Sequence, residues 1–172
     1  MILTGREIAA EVAAGRIHIS PFDPSRLEPN SYGFLLGATI LQYTDEVLSP
    51  DCPPTVISHT MGSEGTVLLP NRLYLGSTRE VMGSSCHAAT LYARLSVSAL
   101  GIWIQYSAPL GHCGAIIPWT LEIKVAQPVR VYPGMLIGKI AFWAMRGEPR
   151  LYRGRYEKSE DVVPSLLVED VL

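Results

Sequence analysis

The sequence predicts a mainly β domain, a barrel or sandwich of short strands preceded by one short helix. Three observations predict it. Fifteen glycines and thirteen prolines spread through 172 residues, and turn residues at that frequency break a chain into short extended segments. Apolar residues alternate in period two, as in Leu91/Ala93/Leu95/Val97 and Leu121/Ile123/Val125, which suits strands with one face against a core. Helical periodicity occurs only near the N-terminus. With 48% hydrophobic and 17% charged residues, the chain can bury one sizeable core, and residues 1–172 are read as a single domain.

The helix is expected over residues 5–14. Thr4-x-x-Glu7 has the form of a capping box, Ile8 and Val12 share a face, and Ala9, Ala10, Ala13 and Ala14 favour helix strongly. Gly15 stands where a left-handed residue ends a helix. Arg16–Ile19 then alternates, and Pro21, Pro24 and Pro29 mark a loop. Strands are expected at Gly33–Tyr43, Thr66–Leu69, Arg72–Ser77, Thr90–Ser96, Gly101–Tyr106, Trp119–Val125, Val129–Val131 and Leu136–Met145, with a turn at Tyr132-Pro133-Gly134. Residues 150–172 differ in character. Arg150, Arg153 and Arg155 cluster with Tyr152 and Tyr156 before the polar run Glu157–Asp161. This tail is read either as mobile or as a strap over a ligand or a neighbouring subunit.

Several function classes are excluded. A formal net charge of −2 gives no general basic field, so no nucleic-acid partner is expected. No apolar run approaches the roughly 20 residues that cross a bilayer, and Met1–Glu7 carries no signal-peptide core. Three widely spaced cysteines, Cys52, Cys86 and Cys113, do not form a disulfide framework. A cytoplasmic protein without membrane contact is expected.

The candidate chemistry is sparse. Cys86-His87 and His112-Cys113 are adjacent pairs, and strand alternation sends neighbours to opposite faces. Each pair is therefore expected to offer one ligand, and no zinc is expected. Walker and dinucleotide-binding glycine motifs are absent. Arg94, Arg153 and Arg155 remain as phosphate candidates through the guanidinium fork, or else as solubilising charges. Glu122 lies within Trp119–Val125, a strand whose other face carries Leu121 and Ile123. It either faces solvent or lines a pocket, where it could act as a general base.

The order of segments adds a resemblance. Met1–Ile8, Gly15-Arg16-Ile17, Pro21-Phe22-Asp23-Pro24 and Pro29–Gly37 resemble the opening of the dCTP deaminase branch of the dUTPase superfamily. Leu75–Glu80 is similar to that family's L-G-x-T-x-E strand, Trp119–Glu122 to its T-L-E strand, and Tyr132–Gly138 to its W-P-G-M-x-I-G turn. Gly154-Arg155-Tyr156 resembles the start of its K-Y-Q-G-Q tail motif. The resemblance implies a distorted β-barrel or jelly-roll-like domain that forms a homotrimer with nucleotide sites between subunits. It implies deamination of dCTP to dUTP without zinc, with Mg2+ carried on the triphosphate. It also implies Glu122 as the base that activates water, Arg94 and Ser96 as phosphate ligands, and Arg155 and Tyr156 as residues of the closing tail.

The chain departs from that pattern at the chemistry. The family's [RK]-S-S-L-x-R-L-G loop reads Arg94-Leu95-Ser96-Val97-Ser98-Ala99-Leu100-Gly101, so the first serine is Leu95 and the arginine is Ala99. An aspartate near the sugar is His112, an earlier aspartate is Gly33, and the tail glutamine is Glu157. Three readings follow: a dCTP or related pyrimidine nucleotide deaminase; a repurposed nucleotide hydrolase or pyrophosphatase with another substrate; and a non-catalytic trimeric nucleotide-binding homologue.

Overall fold

The computed structural model describes residues 1–168. Helix α1 (Gly5–Ala13) begins as expected, with the Thr4 hydroxyl accepting from the Glu7 amide at 3.2 Å. It ends at Gly15, whose φ of +71° is easy only for glycine. Twelve strands follow: β1 (Ile17–Ser20), β2 (Leu27–Glu28), β3 (Ser31–Tyr43), β4 (Val56–Thr60), β5 (Thr66–Leu68), β6 (Tyr74–Ser84), β7 (His87–Ala93), β8 (Ile102–Trp103), β9 (Leu110–Gly111), β10 (Ile117–Val125), β11 (Val129–Val131) and β12 (Leu136–Ala144). A four-residue helix, α2 (Leu95–Ser98), joins β7 to β8.

Ten strands form one sheet curled into a half-barrel, ordered β8-β10-β6-β3-β12-β7-β9, with β1 on β6 and both β2 and β4 on β3. Strands β5 and β11 pair separately. All ladders are antiparallel. Tyr32, Phe34, Leu36, Leu121, Ile123, Ile140 and Phe142 are fully buried inside the curl, each worth about 1.5–3 kcal/mol of transfer free energy. Register shifts interrupt three ladders, and the one between Pro118 and Thr120 on β10 sets the geometry of the site.

The mainly β expectation holds, with differences at several elements: the expected strand Gly101–Tyr106 is reduced to Ile102–Trp103, and the two-residue strands β2 and β9 were not expected. Strand β4 was not expected, because Val56-Ile57-Ser58-His59-Thr60 has no apolar alternation and stays largely exposed as a flank of β3. Strand β6 runs on to Ser84, past the expected Ser77. The expected strand Thr90–Ser96 stops at Ala93, and Leu95–Ser98 is helical. Val97 is buried in the core as the alternation implied, but Leu95 stands 84% exposed. Gly101, with φ +77°, follows this helical turn and lets the chain reverse into β8.

A buried ion pair fixes the start of β3. Glu80 on β6 has no exposed surface; it accepts from Arg26 Nη1 through one oxygen and from the Leu35 amide, at 2.9 Å, through the other. The Arg26 guanidinium also lies 5.0 Å above the Tyr32 ring. Among the described residues no helix is long and apolar enough to cross a membrane.

Candidate functional site

Strand β10 forms one wall of a cavity of about 550 Å³. Ile117 and Trp119 line it, and so do Thr120 and Glu122; the register shift between Pro118 and Thr120 lets both pairs face the same side. Leu121 and Ile123 turn into the core. Gly111 on β9 leaves room for the indole, since a Cβ there would lie 2.4 Å from Trp119 Cη2. The indole N–H is anchored on the Met82 carbonyl at 2.9 Å.

Glu122 is held in place. Its Oε2 accepts from the Tyr106 amide at 2.8 Å, which fixes the carboxylate at the cavity wall. His112 also lines the cavity and stacks on Tyr152, with centroids 5.6 Å apart and planes 14° from parallel. The lining is otherwise mostly aromatic and aliphatic, which suits a flat heteroaromatic ring.

The tail closes the remaining side. Tyr152 donates its amide to the Cys113 carbonyl at 2.8 Å, and the Val163 amide donates to Thr120 Oγ1 at 3.2 Å. The Ser165 and Leu166 amides donate to the hydroxyls of Tyr43 and Tyr156, each at 3.0 Å. Asp161 is the clasp: its carboxylate accepts from Ser77 at 2.7 Å, Thr39 at 2.8 Å and the Val162 amide at 2.7 Å. Partial burial pushes its pKa up, but these hydrogen bonds outweigh burial and leave it below the usual aspartate value.

Of the residues singled out in the sequence, Glu122, His112 and Tyr156 come together here. Arg155 sits in the tail beside the cavity, where its Nη1 donates to the Leu166 carbonyl at 2.8 Å. Arg94 and Ser96 do not line the cavity. Arg94 lies 3.8 Å from Glu28, and Ser96 is exposed on α2 beside Leu95. Glu157 pairs with Arg153, four residues earlier, and Leu136 lies over Gly33, 2.9 Å from where a Cβ would stand. Sequence reasoning missed Tyr43, Thr39, Ser77 and Asp161. Only the polar run at 157–161 hinted at a clasp, and its partners lie more than eighty residues away.

The two Cys-His pairs behave differently. His112 faces the cavity while Cys113 is buried, as alternation predicts, and burial pushes the Cys113 thiol up. At Cys86-His87 the expectation of opposite faces fails. Cys86 precedes β7 at the β6–β7 corner, and both side chains turn to the same point, Sγ and Nδ1 being 3.3 Å apart.

Residues 2–145 match the dCTP deaminase-like family. The chain is 38% identical over 168 residues to a dCTP deaminase of Rhodopirellula baltica, covering 97% of this chain and 84% of that protein. It is 36% identical over 171 residues to a dUMP-forming dCTP deaminase of Clostridium beijerinckii, covering 99% and 98%. A crystal structure of 2'-deoxycytidine 5'-triphosphate deaminase from Agrobacterium tumefaciens superposes with a TM-score of 0.64 at 19% identity over 82% of this chain. This chain spans 47% of that one, and the likeness is one of fold.

Proposed function

The chain belongs to the dCTP deaminase-like family, and from that premise we propose that it removes the 4-amino group of dCTP, or of a related pyrimidine nucleotide, giving dUTP and ammonia. The observation that carries this reading is Glu122, a carboxylate fixed by the Tyr106 amide in an aromatic-walled cavity. There it is placed to take a proton from water as the oxygen adds to C4 of the base, and to deliver that proton to the departing ammonia. Formation of dUMP, named for the Clostridium relative, enters as a possible second product of the same site.

The cavity as one chain presents it has no lysine or arginine in its lining, and a triphosphate needs cations. Arg94 and Ser96 stand by α2, away from their own chain's cavity. In the homotrimer proposed here, a neighbouring copy brings them to the cavity mouth. Leu95, Leu100, Trp103 and Tyr106 are 84, 51, 53 and 55% exposed, which supplies the apolar surface that such a contact would cover. Arg155 and Tyr156 close the tail over the bound nucleotide. Mg2+ would arrive on the phosphate oxygens; among the described residues Glu122 is the one carboxylate in the lining, too few for a protein-built magnesium cage.

A second reading rests on Leu95 and Ala99. Where the family resemblance implies a serine and an arginine, this chain has an exposed leucine and an alanine, and removal of one polar catalytic group commonly costs about 10²–10³ in rate. That observation favours a nucleotide-binding homologue, or a hydrolase retuned to another substrate through His112.

One experiment separates these readings. Wild-type protein and E122Q are incubated with Mg2+ and dCTP, dUTP, CTP or a purine triphosphate, and the products are resolved by chromatography. The deaminase reading expects dUTP or dUMP from dCTP, with turnover abolished in E122Q and the fold intact by circular dichroism. Undiminished turnover in E122Q removes that residue from the mechanism. Binding of dCTP without product supports the second reading.

A further inference from the structure

Away from the nucleotide cavity, α1 and the β6–β7 corner bring three different metal-ligating side chains to one place. Glu11, on α1, is 6% exposed. Cys86 and His87 come from the corner, and one ligand atom from each of the three residues lies within 4.8 Å of the others. Cys86 Sγ is 3.3 Å from His87 Nδ1, and His87 Nε2 is 3.8 Å from Glu11 Oε2. We infer that Glu11, Cys86 and His87 form a binding site for one borderline-soft divalent transition cation of the zinc class.

The surroundings are built to hold this geometry. Ser84, 1% exposed, accepts from the amides of Cys86 and His87 at 3.1 and 3.0 Å. Its single proton lies toward the Arg16 carbonyl at 2.6 Å. The serine therefore locks the corner, its oxygen also lying 3.2 Å from His87 Nδ1 and 3.6 Å from Cys86 Sγ. Arg16 grips the far side of Glu11, its Nε donating to Oε2 at 2.7 Å. That hydrogen bond, opposed by burial and helped by the charges of Arg16 and His87, holds the carboxyl below its usual pKa. Each carboxylate oxygen has two lone-pair positions, so a bidentate arginine leaves one on Oε2 for a metal. An outer partner of this kind is what orients a ligating carboxylate.

The donor set selects the cation. A thiolate and an imidazole exclude magnesium and calcium, which take oxygen ligands, and fit zinc, which takes sulfur, nitrogen and carboxylate oxygen in tetrahedral sites. On binding, Cys86 loses its thiol proton to solvent, and the thiolate and the carboxylate offset most of the positive charge of the cation and Arg16. Three protein ligands leave the fourth position to water. Cys86 is half-buried and provides the route in from solvent. Strand alternation gave the reason to expect no zinc in the sequence, and it does not apply at this corner.

Cobalt(II) is the probe. The full chain is titrated with Co2+ and read by absorption; the expected result is one equivalent bound, with a thiolate-to-cobalt charge-transfer band that one equivalent of Zn2+ displaces. The band should vanish in C86S and survive in C52S, and E11Q should weaken binding at least tenfold. Absence of the band in folded wild-type protein, or its persistence in C86S, overturns the inference. A second readout needs no variant: Zn2+ should slow alkylation of Cys86, mapped by peptide mass, while Cys52 reacts at its former rate. Unchanged alkylation of Cys86 also overturns it. Neither readout depends on nucleotide turnover.

Discussion

Replacing Asp161 by alanine should release the tail from the barrel without unfolding the barrel. The substitution removes two hydrogen bonds to the wall, from Ser77 and Thr39. A hydrogen bond to a charged group contributes about 1.5–3 kcal/mol when buried, and Asp161 is substantially exposed. Discounted for solvent to about 0.5–1 kcal/mol each, the pair is worth about 1–2 kcal/mol. That corresponds to an open tail population roughly 5–30 times larger. Amide hydrogen exchange read by mass spectrometry checks it: the peptide containing the Val163, Ser165 and Leu166 amides should exchange faster by that factor, while peptides of β3 and β6 keep their protection. The same bonds carry a pH dependence. Because the folded pKa lies below the ordinary value of about 3.9, the clasp is fully formed above that pH and is lost as pH falls through the lowered value. Wild-type tail exchange, corrected for intrinsic rates, should therefore rise in acid, and that rise should be absent in D161A. Unchanged tail exchange in D161A would refute the reasoning, and so would equal acceleration across the whole sheet.

Two further outcomes are expected. R26M should leave the Glu80 carboxylate buried without its ionic partner and lower unfolding stability by about 3–5 kcal/mol, seen as a lower urea midpoint; a loss under about 1 kcal/mol would show that the pair does not anchor β3 to β6. G111A places a methyl 2.4 Å from the Trp119 ring and should cost about 1–3 kcal/mol. The indole would move in the cavity wall, so a shift in tryptophan emission and weaker nucleotide binding should accompany it; an unchanged spectrum with unchanged binding speaks against the tight contact.

Local signals were legible where a single residue type dictates local geometry. Thr4, the alanines and Gly15 place α1 to within a residue, and Leu121/Ile123/Val125 correctly give β10 one buried face. Long-range relations were not. A carboxylate such as Glu80 becomes a buried anchor only because Arg26, fifty-four residues earlier, is folded beside it. Leu91/Ala93/Leu95/Val97 alternates through a change from strand to helix, since burial of Val97 satisfies either geometry. At the site, Glu122, His112 and Tyr156 were all named from the sequence, and the structure gathers them into one cavity. Arg94 and Ser96 stand apart from it, because a sequence pattern does not say where in space a residue comes to lie.

Between Pro118 and Thr120 the ladder breaks, one residue of β10 standing against three of β6, and the facing of β10 changes there. Before it, the odd-numbered Ile117 and Trp119 face the cavity; after it, the even-numbered Thr120 and Glu122 do. A one-residue deletion there would reverse the parity of one half of the strand relative to the other. Either the carboxylate would be driven toward the hydrophobic interior and Leu121 into the cavity, or the indole would leave its wall. Side-chain identity at 122 is thus only half of the specification. The other half is spacing, kept where Trp119 of β10 stands against Thr78, Arg79 and Glu80 of β6, and a substitution scan that changes letters but never spacing would miss it.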